Sequence, residues 1–117
     1  MQTFEVTLTL PPTLNHIYRH SGRRVFKPAN VVAWEQESGS EINKAKHNGK
    51  TILGDVEVWV DLYLKRDRDI DSSTKLLFDL LQKQRVIEND RQIIAMHVFK
   101  FVDKINPRLF ARLTKTD

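Results

Sequence analysis

The chain has 117 residues, a length that suits one domain, so we expect a single domain over residues 1–117. Apolar residues make up 40% and charged residues 29%, which is typical of a globular protein and excludes a fibrous or disordered chain. No apolar run approaches the roughly 18 residues of a membrane-spanning helix, and no signal peptide is visible. We therefore expect a cytoplasmic protein without a membrane partner.

The net charge and the absence of cysteine limit the partners and the kinds of reactive site that the chain can have. Without cysteine, disulfides, thiolate nucleophiles and cysteine-ligated zinc are excluded. The 19 basic and 15 acidic side chains leave a net charge of +4, which suits a polyanionic partner such as nucleic acid. A charge of this size also serves solubility alone.

The first half of the chain predicts a strand, a hairpin and a helix. Apolar and polar residues alternate over residues 4–10, which indicates a half-buried strand that ends at two prolines. Residues 16–27 place basic and aromatic arms around a Ser-Gly turn and predict a hairpin or an ordered loop. Apolar residues at helical spacing over residues 31–45 then predict a helix.

The second half predicts a strand at residues 55–65, a helix at 72–84, and strands at 92–102 and 108–113. We therefore expect an α+β fold with a mixed β-sheet and two main helices. The apolar residues of the second helix cover roughly 200° of its circumference, more than a surface helix needs. This excess predicts that the helix packs on a sheet and also meets something else, such as another subunit.

Three aspartates at every second position, Asp67, Asp69 and Asp71, separate a strand from a helix. Carboxylates this close repel one another unless a cation or backbone N–H groups balance them, and Mg²⁺ takes oxygen ligands. The structural alternative is that Asp71 or Ser72 caps the helix, while the other aspartates pair with neighbouring arginines. The stretch alone favours this alternative.

Lys75 favours a functional interpretation of the acidic stretch over the structural one. With Ser72 as the N-cap, Lys75 occupies the first turn of the helix, where the helix dipole disfavours a cation. Asp79, four residues later, offers only partial compensation. A lysine that opposes local helix stability beside carboxylates could hold a scissile phosphate or stabilise a leaving oxygen.

Asp90 is the third acidic feature. A helix over residues 72–84 is about 20 Å long, and residues 85–90 can span about 20 Å when extended. The chain is therefore long enough to return Asp90 beside Asp69 and Asp71. The alternative is that Asn89 and Asp90 form a polar turn before the next strand.

The remaining polar and aromatic residues carry less information. Trp59 and His97 lie in apolar strands, and we expect both in the core. The basic residues form two groups near aromatic residues and near the acidic stretch, which suits a track for phosphates, although a solvated face is the simpler alternative. The groups comprise Arg19, Arg23, Arg24 and Lys27, and Lys65, Arg66 and Arg68.

Taken together, these motifs resemble the RusA family of Holliday-junction resolvases over nearly the whole chain. Residues 11–19, PPTLNHIYR, are similar to the family's opening. The central match comprises Asp69-Ile70-Asp71-Ser72-x-x-Lys75, Phe78-Asp79 and Val86-Ile87-x-Asn89-Asp90. Ser72 replaces the family's usual Asn.

The resemblance implies that Asp69, Asp71 and Asp90 hold Mg²⁺, with Mn²⁺ as a possible substitute, and that Lys75 is the catalytic lysine. It also implies a RusA-like homodimer that cuts four-way junction DNA by paired symmetric nicks in recombination and repair, without a small-molecule substrate. The gene would be bacterial or from a phage or prophage. The competing hypothesis is a non-catalytic, basic nucleic-acid-binding module whose acidic cluster is structural.

Overall fold

The computed structural model describes residues 2–12, 19–21, 24–46, 49–67 and 71–116. For residues 19–21, 24–26, 71 and 72 it describes the backbone alone. Within these residues the chain forms a four-stranded sheet, a small two-stranded hairpin and two α-helices. The predicted α+β class and the predicted order of elements are confirmed.

The main sheet is mixed, with the strand order β1-β6-β4-β5. Strand β1 pairs antiparallel with β6, β6 pairs antiparallel with β4, and β4 pairs parallel with β5. The hairpin consists of β2 and β3 and confirms the hairpin prediction. The strands are β1 (Thr3–Leu8), β2 (Arg19–Ser21), β3 (Arg24–Phe26), β4 (Val56–Leu64), β5 (Ile93–Val102) and β6 (Arg108–Lys115).

The two helices are α1 (Ala29–Lys46) and α2 (Asp71–Lys83). Helix α1 begins directly after Pro28, whose carbonyl accepts the backbone N–H of Val31. The indole Nε1 of Trp34 donates a hydrogen bond of 3.0 Å to the carbonyl of Thr9, which ties the helix to the end of β1. Trp34 is therefore in the core.

Strand alternation explains where the core sits. The residues of β4 at positions 56, 58, 60, 62 and 64 are fully buried between the sheet and the helices, whereas the residues between them face away. The same period of two buries Leu109, Ala111 and Leu113 of β6. One face of the sheet therefore carries both helices and the other face is open.

The open face corrects two predictions. Trp59 and His97 lie there rather than in the core, because each is on the opposite side of its strand from the buried residues. Their rings are in contact, with centroids 5.4 Å apart. Nε1 of Trp59 donates to Asp61 Oδ1 at 3.0 Å, and Nε2 of His97 lies 2.7 Å from Glu57 Oε1.

Helix α2 connects two neighbouring parallel strands, so β4, α2 and β5 form a βαβ unit that the sequence analysis did not anticipate. The wide apolar arc of α2 is largely explained within this one chain. Its four leucines are buried in the core, and Phe78 packs partly against it. The arc alone therefore does not require a second subunit.

Candidate metal and nucleic-acid site

The acidic stretch lies between the end of β4 and the start of α2. The alternation of β4 stops at Leu64, and Lys65, Arg66 and Asp67 follow as exposed residues. Asp69 lies outside the described residues. Asp71 is the first residue of α2, although its side chain is not among those described. The order strand, acidic loop, helix that the sequence predicted is therefore present.

Strand β5 contacts this loop. Nζ of Lys100 lies 2.7 Å from Oδ1 of Asp67, and both side chains are substantially exposed. The backbone N–H of Asp103 donates to the carbonyl of Leu64 at 2.7 Å. These contacts hold the ends of β4 and β5 together directly beside the acidic stretch. Sequence analysis did not identify Lys100, because an isolated lysine in an apolar strand gives no signal of its partner.

The start of α2 differs in detail from the prediction. The helix begins at Asp71, so Ser72 lies within the helix and is not its N-cap. Lys75 is the fifth residue of the helix, about one turn from its start, where the opposition to the dipole is weaker than predicted. Its ammonium group is exposed and makes no ion pair with Asp79 or with any other described residue. Lys75 is therefore available to bind an anion.

Asp90 opens a short 3₁₀-helix, Asp90–Gln92, just before β5. Asn89 caps it by accepting the backbone N–H of Arg91 at 2.9 Å. Gln92 accepts the N–H of Asn89 and donates to the carbonyls of Ile52 and Gly54. The predicted polar turn is present, and its hydrogen bonds place an exposed Asp90 at the start of β5.

Asp90 and Asp71 lie at opposite ends of the βαβ unit. Parallel pairing places Ile93 beside Val56, at the start of β4, whereas α2 begins beyond the end of β4. The carbonyl of Leu81, in the last turn of α2, accepts the N–H of Val86, and Ile87 bridges to Ile52 just before β4. Asp90 is therefore near the C-terminal end of α2.

The 13 residues of α2 extend over about 18 Å. One chain consequently does not bring Asp90 beside Asp71, although the connecting segment was long enough in principle. Within the described residues, no group of three or more histidines and carboxylates is close enough to hold a metal ion. The donors themselves suit Mg²⁺, since they are carboxylates and the Asp90 side chain is exposed.

The predicted basic residues divide into four sets. Lys65 and Arg66 are exposed beside the acidic stretch. Lys27 lies 3.0 Å from the buried Glu35 of α1, so at least part of its role is structural. Arg19 and Arg24 are in the β2–β3 hairpin, where only the backbone is described. Arg23 and Arg68 lie outside the described residues.

Two further arginines lie on the open face of the sheet. The guanidinium of Arg108 lies 3.8 Å from the ring centroid of Tyr63, and that of Arg112 lies 5.6 Å from the ring of Trp59. Both lie on the opposite side of β6 from the buried Leu109, Ala111 and Leu113. Arg108 also binds Asp103 at 3.0 Å.

Comparison with known proteins gives a consistent result. The sequence profile of one family, described as Endodeoxyribonuclease RusA, matches residues 9–114. The chain is similar to the crossover junction endodeoxyribonuclease RusA of Aquifex aeolicus, with 37% identity over 110 residues that cover 89% of this chain and 85% of the relative. It is 28% identical to the protein of the same name in Escherichia coli K12 over 116 residues, 98% and 97% of the two chains.

A relative encoded by Enterobacteria phage 82 bears the same name and is 27% identical over 117 residues, covering 98% of this chain and 97% of its own. The relatives thus come from bacteria and from a phage. None of the helices in the described part of the chain combines the length and the apolarity that crossing a membrane requires.

Proposed function

Because the chain belongs to the RusA family of endodeoxyribonucleases, we propose that it is a Mg²⁺-dependent enzyme that resolves four-way DNA junctions by paired symmetric nicks. The observation that carries the proposal is the match over residues 9–114, which includes the whole acidic stretch, Lys75 and Asp90. The relatives' names supply the activity, and the exposed polar groups around α2 supply residues suited to it.

Asp69, Asp71 and Asp90 would hold the metal ion, with Mn²⁺ as a possible substitute. A bound Mg²⁺ would neutralise charge on the phosphodiester and lower the pKa of an attacking water. The chain's own carboxylates would bind and orient this ion. The exposure of Asp90 supports its role, because an exposed carboxylate at a hydrogen-bonded turn is open to a ligand from outside its own chain.

Lys75 would act directly on the DNA. Its ammonium is exposed, unpaired among the described residues and about one helical turn from Asp71. A cation at this place would hold a phosphate oxygen of the scissile group and stabilise negative charge as it develops on the leaving oxygen. Lys65 and Arg66, which are exposed on the same loop, would bind flanking phosphates, as would Arg19, Arg23, Arg24, Lys27 and Arg68.

We further propose a homodimer. Two strands of a junction are cut symmetrically most simply by two sites related by a two-fold axis. The separation of Asp71 and Asp90 by the length of α2 supports the dimer independently, since a second copy could supply the missing carboxylate to each site. On this proposal each site takes Asp69, Asp71 and Lys75 from one copy and Asp90 from the other.

The direct test is cleavage of a synthetic four-way junction with and without Mg²⁺, beside a linear duplex of the same sequence. We expect paired nicks at symmetric positions in the junction only, and only with the metal. Asp71→Asn should abolish the nicks while junction binding persists or tightens, because a negative charge near phosphates is removed. Glu37→Gln, which removes an exposed carboxylate on α1, is the matched control and should cut normally.

Tight junction binding without nicks under Mg²⁺ or Mn²⁺ would refute the proposal. Equal cutting of the junction and the linear duplex would refute its structure selectivity.

A further inference from the structure

Glu35 is the only charged residue that is buried among the residues the structure describes, with 8% of its surface exposed. It lies in α1, directly after the buried Trp34. Nζ of Lys27 donates hydrogen bonds to both oxygens of its carboxylate, at 3.1 and 3.0 Å. The proposed function assigns no role to this carboxylate.

The partner of Glu35 occupies a place where a lysine is unfavourable. Lys27 directly follows β3 and is separated from the start of α1 by Pro28 alone. The helix dipole disfavours a cation at this end of a helix. The ammonium group reaches Glu35, the seventh residue of α1, whose Cα lies about 9 Å along the helix from its start. A lysine that opposes the local electrostatics in this way is a candidate for a specific role.

The ion pair contributes a defined geometry more than it contributes stability. Apolar residues of similar size often stabilise a fold as much as a buried ion pair does, because charged groups lose hydration when they are buried. Removal of one partner is costly, however, since it leaves the other charge buried without compensation. Glu35 therefore disfavours any arrangement in which Lys27 moves away from α1.

The pair holds more than one residue in place, because Lys27 continues directly from the β2–β3 hairpin. Within the described strands, β2 and β3 form a sheet of their own, apart from the main sheet. On the other side of the hairpin, Trp34 donates a hydrogen bond to the carbonyl of Thr9. Two adjacent residues of α1 thus hold the two ends of the segment that contains the hairpin.

We propose that Glu35 is a positioning residue, which acts through Lys27 to fix the β2–β3 hairpin where it contacts DNA. The proposal rests on the proposed function for the contact itself, since Arg19 and Arg24 of the hairpin are among the residues proposed to bind phosphates. Glu35 is buried and does not touch the DNA. A hairpin that is already in place loses less conformational entropy when its arginines bind phosphates.

The sign of one effect separates positioning from simple electrostatics. Glu35→Gln removes a negative charge, so a purely coulombic effect would tighten binding to a polyanion. A positioning role predicts the opposite, because the substitution breaks the ion pair that holds the hairpin. We expect the Kd for a labelled four-way junction, measured by fluorescence anisotropy without divalent metal, to rise about tenfold. Glu37→Gln, which removes an exposed carboxylate of the same helix, is the matched control and should bind at least as tightly as wild type.

The salt dependence of binding measures how many phosphates the protein neutralises. Each phosphate contact contributes about 0.9 to the slope of log K against log salt. Loss of the contacts of Arg19 and Arg24 should therefore lower the magnitude of the slope by up to about 2 in Glu35→Gln, and Glu37→Gln should keep the wild-type slope.

Cleavage at saturating protein separates positioning from a general loss of structure. With Mg²⁺, the single-turnover rate of Glu35→Gln should stay within about twofold of wild type, because the acidic stretch and Lys75 belong to other elements. A general loss of structure would lower this rate together with the affinity.

An apolar pair tests whether holding the hairpin matters more than the charges themselves. Lys27→Met and Glu35→Leu each leave one partner uncompensated, whereas the double variant keeps the net charge of +4 and replaces the ion pair with an apolar contact. The double variant should melt at or above the temperature of either single variant. It should also bind the junction within about threefold of wild type, more tightly than either single variant does.

Junction binding by Glu35→Gln as tight as that by Glu37→Gln would overturn the proposal. A double variant that binds no better than Lys27→Met would also overturn it, since Lys27 would then act on the DNA directly. In both cases Mg²⁺-dependent cleavage by wild type would leave the proposed function intact. Weakened binding by Glu35→Gln, together with a wild type that binds the junction and never cuts it, would support the positioning role and refute the enzyme.

Discussion

Asp71 and Asp90 occupy opposite ends of α2, separated by the length of the 13-residue helix, about 18 Å. The separation is fixed by the parallel pairing of β4 with β5, because a helix that connects two such strands must run back along them. If both carboxylates bind one metal ion, they come from different copies of the chain. Two inactive variants can then be combined to test this.

We expect mixed dimers of Asp71→Asn and Asp90→Asn to regain junction cleavage that neither variant shows alone. In such a dimer one site carries both substitutions, while the other takes Asp71 and Asp90 from the unmodified positions. Random association makes half of the dimers mixed, each with one intact site, so nicking should recover to about a quarter of the wild-type rate. Nicks should occur one strand at a time, as measured on a junction labelled on both cleaved strands.

Asp69→Asn mixed with Asp71→Asn is the control, because both substitutions fall on the same side of the shared site and no intact site can form. Inactivity of the Asp71→Asn and Asp90→Asn mixture, with proven mixed dimers, would mean that each site is built within one chain.

Lys75 is expected to act in the chemical step rather than in folding. Its side chain is exposed and makes no ion pair among the described residues, so Lys75→Met should leave the melting temperature nearly unchanged. Loss of a cation from a developing oxyanion should lower single-turnover cleavage by about 10²-fold or more, while junction binding weakens little. Lys44→Met, which removes an exposed ammonium on α1 away from the proposed site residues, is the control and should retain cleavage. Equal losses in both variants would indicate a general electrostatic effect.

The elements of the fold could be predicted because their periodicities are local. The alternation of β1, β4 and β6 follows directly from which face is buried, and the same alternation places Trp59 with Glu57 and Asp61 on the open face. The prediction that Trp59 is buried was wrong. It followed from the residue type alone, whereas the position of Trp59 in the alternation of β4 places it on the open face. A tryptophan on an open face is satisfied by its neighbours, here Asp61 and the ring of His97.

Relations between distant elements could not be predicted in the same way. Strand β5 is apolar on both faces, a pattern typical of a central strand, yet it lies at the edge of the sheet. Its parallel pairing with β4 decides where Asp90 lies, and no local feature of the sequence encodes it. The candidate site residues and their order along the chain could therefore be identified from the sequence. Their positions relative to one another in the folded chain could not.

Ser38 offers a stability test outside the site. Its hydroxyl is buried in α1 and has no hydrogen-bond partner among the described residues. Ser38→Ala removes an unsatisfied polar atom and adds helix propensity, so it should stabilise the protein by about 1 kcal/mol. Ser40 is exposed on the same helix. Ser40→Ala should therefore raise the free energy of unfolding by only about 0.5 kcal/mol, through the gain in helix propensity. Urea unfolding of both variants gives the difference, and no gain of Ser38→Ala over Ser40→Ala would imply that the hydroxyl is satisfied.

The hydrogen bonds of Asp103 predict that part of the free energy of unfolding depends on pH. Hydrogen bonds from the backbone N–H of Asn106, from the Arg108 side chain and from the N–H of Ile105 lower the pKa of its carboxyl below the ordinary value. The unfolded chain therefore takes up the proton at a higher pH than the folded protein does. The carboxylate stabilises the fold above the unfolded pKa, and the contribution disappears as the pH falls through the folded pKa.

Asp103→Asn should accordingly be less stable than wild type at pH 7 in urea unfolding, and the difference should shrink progressively below about pH 4. Asp55→Asn, whose exposed carboxyl accepts no hydrogen bond from the described residues, is the control and should be about as stable as wild type at pH 7. A stability difference for Asp103→Asn that stays constant from pH 7 into the acid range would show that the carboxylate's charge is not what holds the β5–β6 connection.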